Sequence, residues 1–421
     1  MLFERIHYGA LVTVLLLPLP TQAAEWSAEP KISLRTGYND NIRLTTLDHD
    51  SVWETALTPA VRFGVAKEHQ GLFGNASASI RRFSGGSGRE SSSVLDREDY
   101  FLKTNAYHKT PRNTFKANLD YTRDSTLDSE LDETGNVIDE RATRERITLG
   151  PSWEAMLNET TRLELGYEYT DVSFSDDPGL TDLVEYEYDV FSSSLIHQLT
   201  PRIYGTLYAS YSSYQPDTNL DSDTASIQAG ISRNFSETLV ASFLAGARKT
   251  TSDRVTGYCP FEPPSAFPRC TLFPPVITGT EETDNTGTVF SFDINKTLET
   301  GSLGMAISRS TNPNSDGELL DTTRLIVTGE HKFTETLISS LRLEYTENEI
   351  IVNRAGFDDS NQDNETFLRI KPKLSWRWQR EWELAGEYEY AENEDYNSRT
   401  ATRNAFYLTL TYRPTRLYMS R

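Results

Sequence analysis

Several things are scarce in this chain. It has two cysteines, Cys259 and Cys270, in 421 residues, and without histidines beside them they make a poor metal site. The six histidines, His7, His49, His69, His108, His197 and His331, are scattered, and none has the spacing of a metal pair. No motif fixes a Ser–His or Asp–His arrangement, so no catalytic residue, metal or cofactor is expected. Cations are outnumbered, with Lys+Arg 41 against Asp+Glu 62 and a formal net charge of −21. That balance disfavours nucleic acid as a partner, because phosphate contacts need clustered cations. Long apolar runs are missing beyond the first residues, so no helical membrane anchor is expected.

The first residues read as a secretory signal. Arg5 and His7 form a short charged region, Ala10 to Leu19 is apolar, and Thr21-Gln22-Ala23-Ala24 offers a cleavage site. The expected division is a signal at 1–23 and one domain at 24–421.

What the mature chain does have is alternation. In Arg162-Leu163-Glu164-Leu165-Gly166-Tyr167-Glu168-Tyr169 apolar and polar residues take turns, and Phe115 to Tyr121 repeats the pattern. A period of two puts alternate side chains on opposite faces of a sheet. Short polar turns recur between such segments, among them Leu157-Asn158-Glu159-Thr160 and Phe333-Thr334-Glu335-Thr336. The segments run from Pro30–Leu44 and Val52–Ala66 through to Asn364–Trp378, Trp382–Asn393 and Thr400–Tyr412, about eighteen in all (range 16–18). An even number of antiparallel strands, joined alternately by short and long connections, predicts an all-β transmembrane barrel of the bacterial outer membrane. Short turns then lie in the periplasm and long loops outside, and both termini are periplasmic. Frequent aromatics suit the interfacial girdles of such a barrel.

Long connections are expected near 84–97, 125–143, 250–284 and 350–363, in strict alternation with short turns. The acidic stretches Asp128-Ser129-Glu130-Leu131-Asp132-Glu133 and Asp358-Asp359 read first as solvated loops. Divalent ions bridging them to lipopolysaccharide is the sharper alternative. Cys259 and Cys270 sit in the Pro-rich loop with Phe261, Phe267, Leu272, Phe273, Val276 and Ile277. A disulfide there would stiffen the loop and remove about 2–3 kcal/mol of unfolded-state entropy, and the loop either narrows the mouth, packs over it or stays outside.

Charge placement marks the lumen. Arg369, Lys371, Lys373 and Arg377 alternate with apolar residues, and a cation facing mid-bilayer lipid costs about 2–4 kcal/mol, so they are expected to point inward. Glu383, Glu387 and Glu389 do the same on the next strand, and Arg342 with Glu344, and Arg144 with Arg146, extend the polar wall. This charged ladder reads either as structural ion pairing or as a wall that guides a hydrated solute.

The mature N-terminus carries Tyr38-Asn39-Asp40-Asn41-Ile42-Arg43-Leu44, followed by Trp53, Leu57-Thr58-Pro59-Ala60-Val61-Arg62-Phe63 and Arg81-Arg82-Phe83. It resembles the outer-membrane barrels associated with exopolysaccharide synthesis and PEP-CTERM/exosortase systems, in which a Tyr-x-Asp-Asn-x-x-Leu box opens the chain. The resemblance implies a porin-like channel in export of a hydrophilic polymer, with polysaccharide and a periplasmic export protein as partners. A structural or adhesive barrel and a surface hydrolase are the alternatives. Outer-membrane lipid, lipopolysaccharide and the barrel assembly machinery are the further partners expected. The end Arg403 to Tyr412 looks like a last-strand assembly signal, with Ala405 where glycine is usual and a tail, Arg413 to Arg421, beyond it.

Overall fold

The alternation sorts side chains onto two faces. Ile32, Leu34, Leu57, Leu374, Trp376, Phe406 and Leu408 are exposed on one, while Arg35, Glu54, Arg369, Glu389 and Arg403 lie on the other. In the computed structural model, which describes residues 25–135, 137, 141–175, 183–260, 276–352, 364–395 and 398–420, this closes into an antiparallel barrel of eighteen long strands. They are β1 (Glu25–Asn39), β2 (Val52–Ala66), β3 (Gln70–Ser84), β4 (Arg97–Lys109), β5 (Asn113–Ser125) and β6 (Thr143–Met156). Next come β7 (Thr161–Ser175), β8 (Tyr186–Thr200), β9 (Ile203–Pro216), β10 (Leu220–Asn234), β11 (Leu239–Tyr258) and β12 (Val276–Leu298). The last six are β13 (Gly301–Pro313), β14 (Leu319–Lys332), β15 (Leu337–Val352), β16 (Glu365–Trp376), β17 (Trp382–Glu394) and β18 (Thr400–Tyr412). Each pairs with its sequence neighbours, and β1 pairs with β18 from Ile32↔Tyr412 to Asn39↔Ala405 to complete the ring. A short strand, β19 (Leu417–Ser420), pairs with the start of β1. No described helix is long and apolar enough to cross a membrane; the crossing is made by strands, and the protein is an outer-membrane barrel.

Several boundaries differ from the sequence expectation, β1 starting at Glu25 rather than Pro30 among them. β1 ends at Asn39 rather than Leu44, because the residues after it turn inward and Asn41, Ile42, Arg43 and Leu44 are buried. β11 and β12 pair out to Tyr258↔Val276, well past Lys249 and Asn285. Residues 276–284 are exposed on both faces, so this ribbon stands clear of lipid and its polar residues carry no alternation to read. The connection at 217–219 is as short as the turns at the other end, so long and short connections do not alternate strictly.

The barrel is not hollow at its loop end. Two short helices, α1 (Ser92–Leu95) and α2 (Thr126–Glu133), fold in from the connections after β3 and β5. Leu95 and Leu127 join Ile42, Val52 and Phe83 in one buried cluster. Leu131 joins Leu44, Phe367, Ala391 and Ala401 in another. The tip of the β13–β14 hairpin also turns inward. Leu319 packs with Val172, Tyr186, Tyr214 and Leu220 on β7 to β10, and Val184 N–H donates to Ser315 O at 2.8 Å. Pairing of β12 with β13 accordingly stops at Phe290↔Arg309, while β13 and β14 stay paired to Pro313↔Leu319.

Arg248 holds the wall where those strands part. It faces Gly287 across the β11–β12 ladder, and a Cβ at Gly287 would sit 2.9 Å from the Arg248 guanidinium carbon. Glycine therefore lets the side chain cross β12. Its Nε and Nη2 donate to Asp321 Oδ1 and Oδ2 at 2.9 and 2.6 Å, a bidentate pair of high directional strength.

Candidate functional site: an acidic helix held across the lumen

The stretch Asp128 to Glu133 is a helix, not a solvated loop. Leu127 and Leu131 stand four residues apart, so they share one helical face, and both are buried in the clusters above. The helix ends at Gly135, whose φ of 75° is available to glycine at little cost. Its N–H and that of Thr134 both donate to Glu130 O, at 3.2 and 2.9 Å.

The acids of α2 meet arginines from both halves of the ring. Asp128 accepts from Arg81 at 2.7 Å and pairs with Arg97. Glu133 bridges Arg144 at 2.7 Å and Arg146 at 2.5 Å. Glu130 lies 3.5 Å from Arg144 and accepts from Ser315. Asp132 pairs with Arg369, and its carbonyl accepts from Arg324 at 2.9 Å. Asn348 donates to Thr134 O at 3.1 Å. Arg144 is on β6 and Asn348 on β15, half the ring apart, so α2 bridges opposite walls of the bore.

These contacts set the protonation of the helix. Burial alone would raise Asp128, but Arg97 and Arg81 hold its carboxyl well below the usual range. Burial also works against the charge on Glu133, yet Arg144 and Arg146 keep it lowered. Glu130 goes the other way, because burial outweighs Arg144 and pushes it up.

The charged ladder continues from the helix along β15 to β18. Glu344, 1% exposed, accepts from Arg369 at 2.7 Å and Arg342 at 3.3 Å and pairs with Arg324. Glu389 holds Lys371 at 2.7 Å and Arg403. Lys373 is the cross-strand partner of Glu387, and both line a cavity of about 300 Å³ with Arg342. Glu383 lies 3.8 Å from Arg377 and 2.7 Å from Arg413. Beside α2, a cavity of about 320 Å³ is lined by Arg35, Arg81, Arg97, Lys371, Arg403 and Glu389 among others. Arg35 stacks 3.5 Å from the Tyr407 ring centre.

Arg81 and Arg97 on β3 and β4, and Arg324 and Arg403 beside the ladder on β14 and β18, carry no sign of this role in the sequence, where Asp128, Glu130 and Glu133 read as solvent-facing acids. The Leu127/Leu131 spacing was the available signal. Cys259 is buried and disulfide-bonded; Cys270, the loop aromatics Phe261, Phe267 and Phe273, and Asp358-Asp359 lie outside the described residues. Among the described residues, no group of three or more His, Cys, Asp or Glu could hold a metal ion. His49, His69, His108, His197 and His331 are all exposed.

The N-terminal box closes the barrel seam. Asn404 N and Nδ2 donate to Asp40 Oδ1 and Oδ2 at 2.6 and 2.9 Å. Asn41 Nδ2 reaches Thr402 O at 3.0 Å and Thr45 O at 2.9 Å. Arg43 pairs with Glu90 at 3.3 Å. Tyr38 stays on the outer face, edge-on to Trp53.

No family model and no curated protein matches the chain. Among solved structures, the barrel is similar to Pseudomonas aeruginosa OpdQ at 10% identity, over 93% of this chain and 99% of that one, with a TM-score of 0.42. Acinetobacter baumannii OccAB4 is similar at 12% identity, over 95% and 100%, with a TM-score of 0.43. The expected kinship with exopolysaccharide and PEP-CTERM-associated barrels is corrected: no family model or curated protein of that kind matches, and the similar solved structures are other barrels. The polymer-export role is corrected with it, and nothing in the comparisons supports the adhesive or hydrolase alternatives. The physical reasons lie in this chain: its box serves the seam, and its bore is crossed by α2.

Proposed function

We propose that this barrel is a passive outer-membrane channel for small hydrophilic solutes. The observation that supports it is α2, an ion-paired bar between opposite walls of a ring otherwise wide enough for a large aqueous lumen. The cavity of about 320 Å³ beside the bar has room for about ten waters at ~30 Å³ each. That suits a small solute rather than a hydrated polymer. Arg342, Glu344, Arg369, Lys371, Lys373, Arg377, Glu383, Glu387 and Glu389 would form the wall that such a solute passes. Cations and acids alternate along it, which favours solutes carrying both charges or one compact charge. In the same proposal residues 1–23 direct secretion, and Cys259 with Cys270 staples the outer loop. The proposal needs no polysaccharide and no periplasmic export protein.

Flux into proteoliposomes loaded with the purified barrel tests it. Amino acids and monosaccharides are expected to enter, and oligosaccharides of five or more units to be excluded. Equal entry of both, or entry of neither, would contradict the proposal.

A further inference from the structure

The tail beyond the last long strand does not leave the barrel. Residues 413–416 detour, and β19 then pairs with β1 from Glu25↔Ser420 to Ala28↔Leu417. The detour brings Arg413 and Arg416 to the turn end of the barrel. They line one depression of about 680 Å³ with Lys31 of β1, Arg62 of β2, and Arg377 and Arg380 of the turn between β16 and β17.

The balance of charge there is unlike the rest of the chain. Glu29 is shared by Arg62 at 3.6 Å and Arg416 at 3.1 Å. Glu383 is shared by Arg413 at 2.7 Å and Arg377 at 3.8 Å. Glu381 also lines the depression. Among the described residues, Lys31 and Arg380 have no carboxylate within ion-pair distance. Six cations thus face three carboxylates, in a protein of net charge −21. A concave surface with an excess of one sign concentrates counter-ions, and arginine forks match the oxygens of phosphate and carboxylate.

We propose that this vestibule binds a soluble multivalent anion, one carrying two or more phosphate or carboxylate groups. Lys31, Arg62, Arg377 and Arg413 share the inward face with Arg35 and Glu383, away from the exposed apolar residues Ile32 and Trp376. A dissolved anion therefore reaches them more readily than a lipid headgroup in the surrounding leaflet. The site is independent of what crosses the bore: it exists whether or not the bar of α2 passes solute.

Calorimetric titration of the full mature chain in phosphatidylcholine nanodiscs, with tripolyphosphate and with citrate, tests it. Binding at submillimolar concentration is expected, weakened about tenfold or more in the Lys31→Gln/Arg380→Gln double variant. That variant removes no ion pair, so folding is retained, and Glu133→Gln is expected to bind like the parent. The interaction is also expected to weaken steeply with added salt. No heat up to millimolar anion, or unchanged affinity in the double variant, would overturn the site. Loss of binding when the nanodisc contains phosphatidylglycerol would assign the cations to headgroups and overturn the soluble ligand.

Discussion

At the residue scale, the protein is held by carboxylates that each take two or more cations, as Asp321 takes Arg248 and Arg309. Arg248 and Asp321 are 1% and 2% exposed as side chains. Removing one partner of a buried pair leaves an uncompensated charge, at about 3–5 kcal/mol. Arg309 also reaches Asp321, at 3.1 Å, so Arg248→Ala is expected to cost about 3 kcal/mol, the lower end of that range. Denaturant unfolding in detergent measures it, with Asp321→Asn/Arg248→Leu expected to lose less than Arg248→Ala. The acids of α2 give a pH signature. Glu133 and Asp128 are lowered. Their pairs are fully present above the unfolded carboxylate value, about 4, and are lost only as pH falls through the lower folded values. Glu130 is raised, so its contribution is complete below the unfolded value and is lost as pH rises through the folded one. Acidification from neutrality to about pH 4.5 is therefore expected to leave bilayer conductance unopened. A stepwise rise in conductance in that window would contradict the assigned pairs.

At the element scale, the strands were legible and the plug was not. A lipid-facing residue is judged against hydrocarbon and a lumen-facing one against water, so alternation reports each strand from its own residues. Arg369 and Lys371 could be assigned inward that way. The helix α2 is different, because what stabilises it is contributed by β3, β4, β6, β14 and β16, far away in sequence. Read alone, Asp128 to Glu133 is an acidic run. The box around Asn39-Asp40-Asn41 likewise took its meaning from β18, through Asn404 and Thr402. Asp40→Ala is expected to strip two hydrogen bonds from that seam, a loss of about 1–3 kcal/mol. It would show as a lower temperature for conversion of the folded to the unfolded band in detergent gels, whereas Glu281→Ala on the projecting ribbon is expected to leave that temperature unchanged.

At the scale of the whole molecule, one ring of eighteen strands supplies the wall and its inward-folded loops supply the bore. The ring follows from local pattern, the bore from long-range ion pairs, and the cargo from neither alone. The central claim is that α2 sets the width of the pathway. Single-channel conductance in planar bilayers tests it most directly, comparing the parent with Asp128→Asn/Glu133→Gln and with a chain in which 126–133 is replaced by a short Gly-Ser link. The account predicts a small conductance in the parent, a larger and noisier one in the charge variant, and the largest in the replacement. Identical conductance in all three would contradict it.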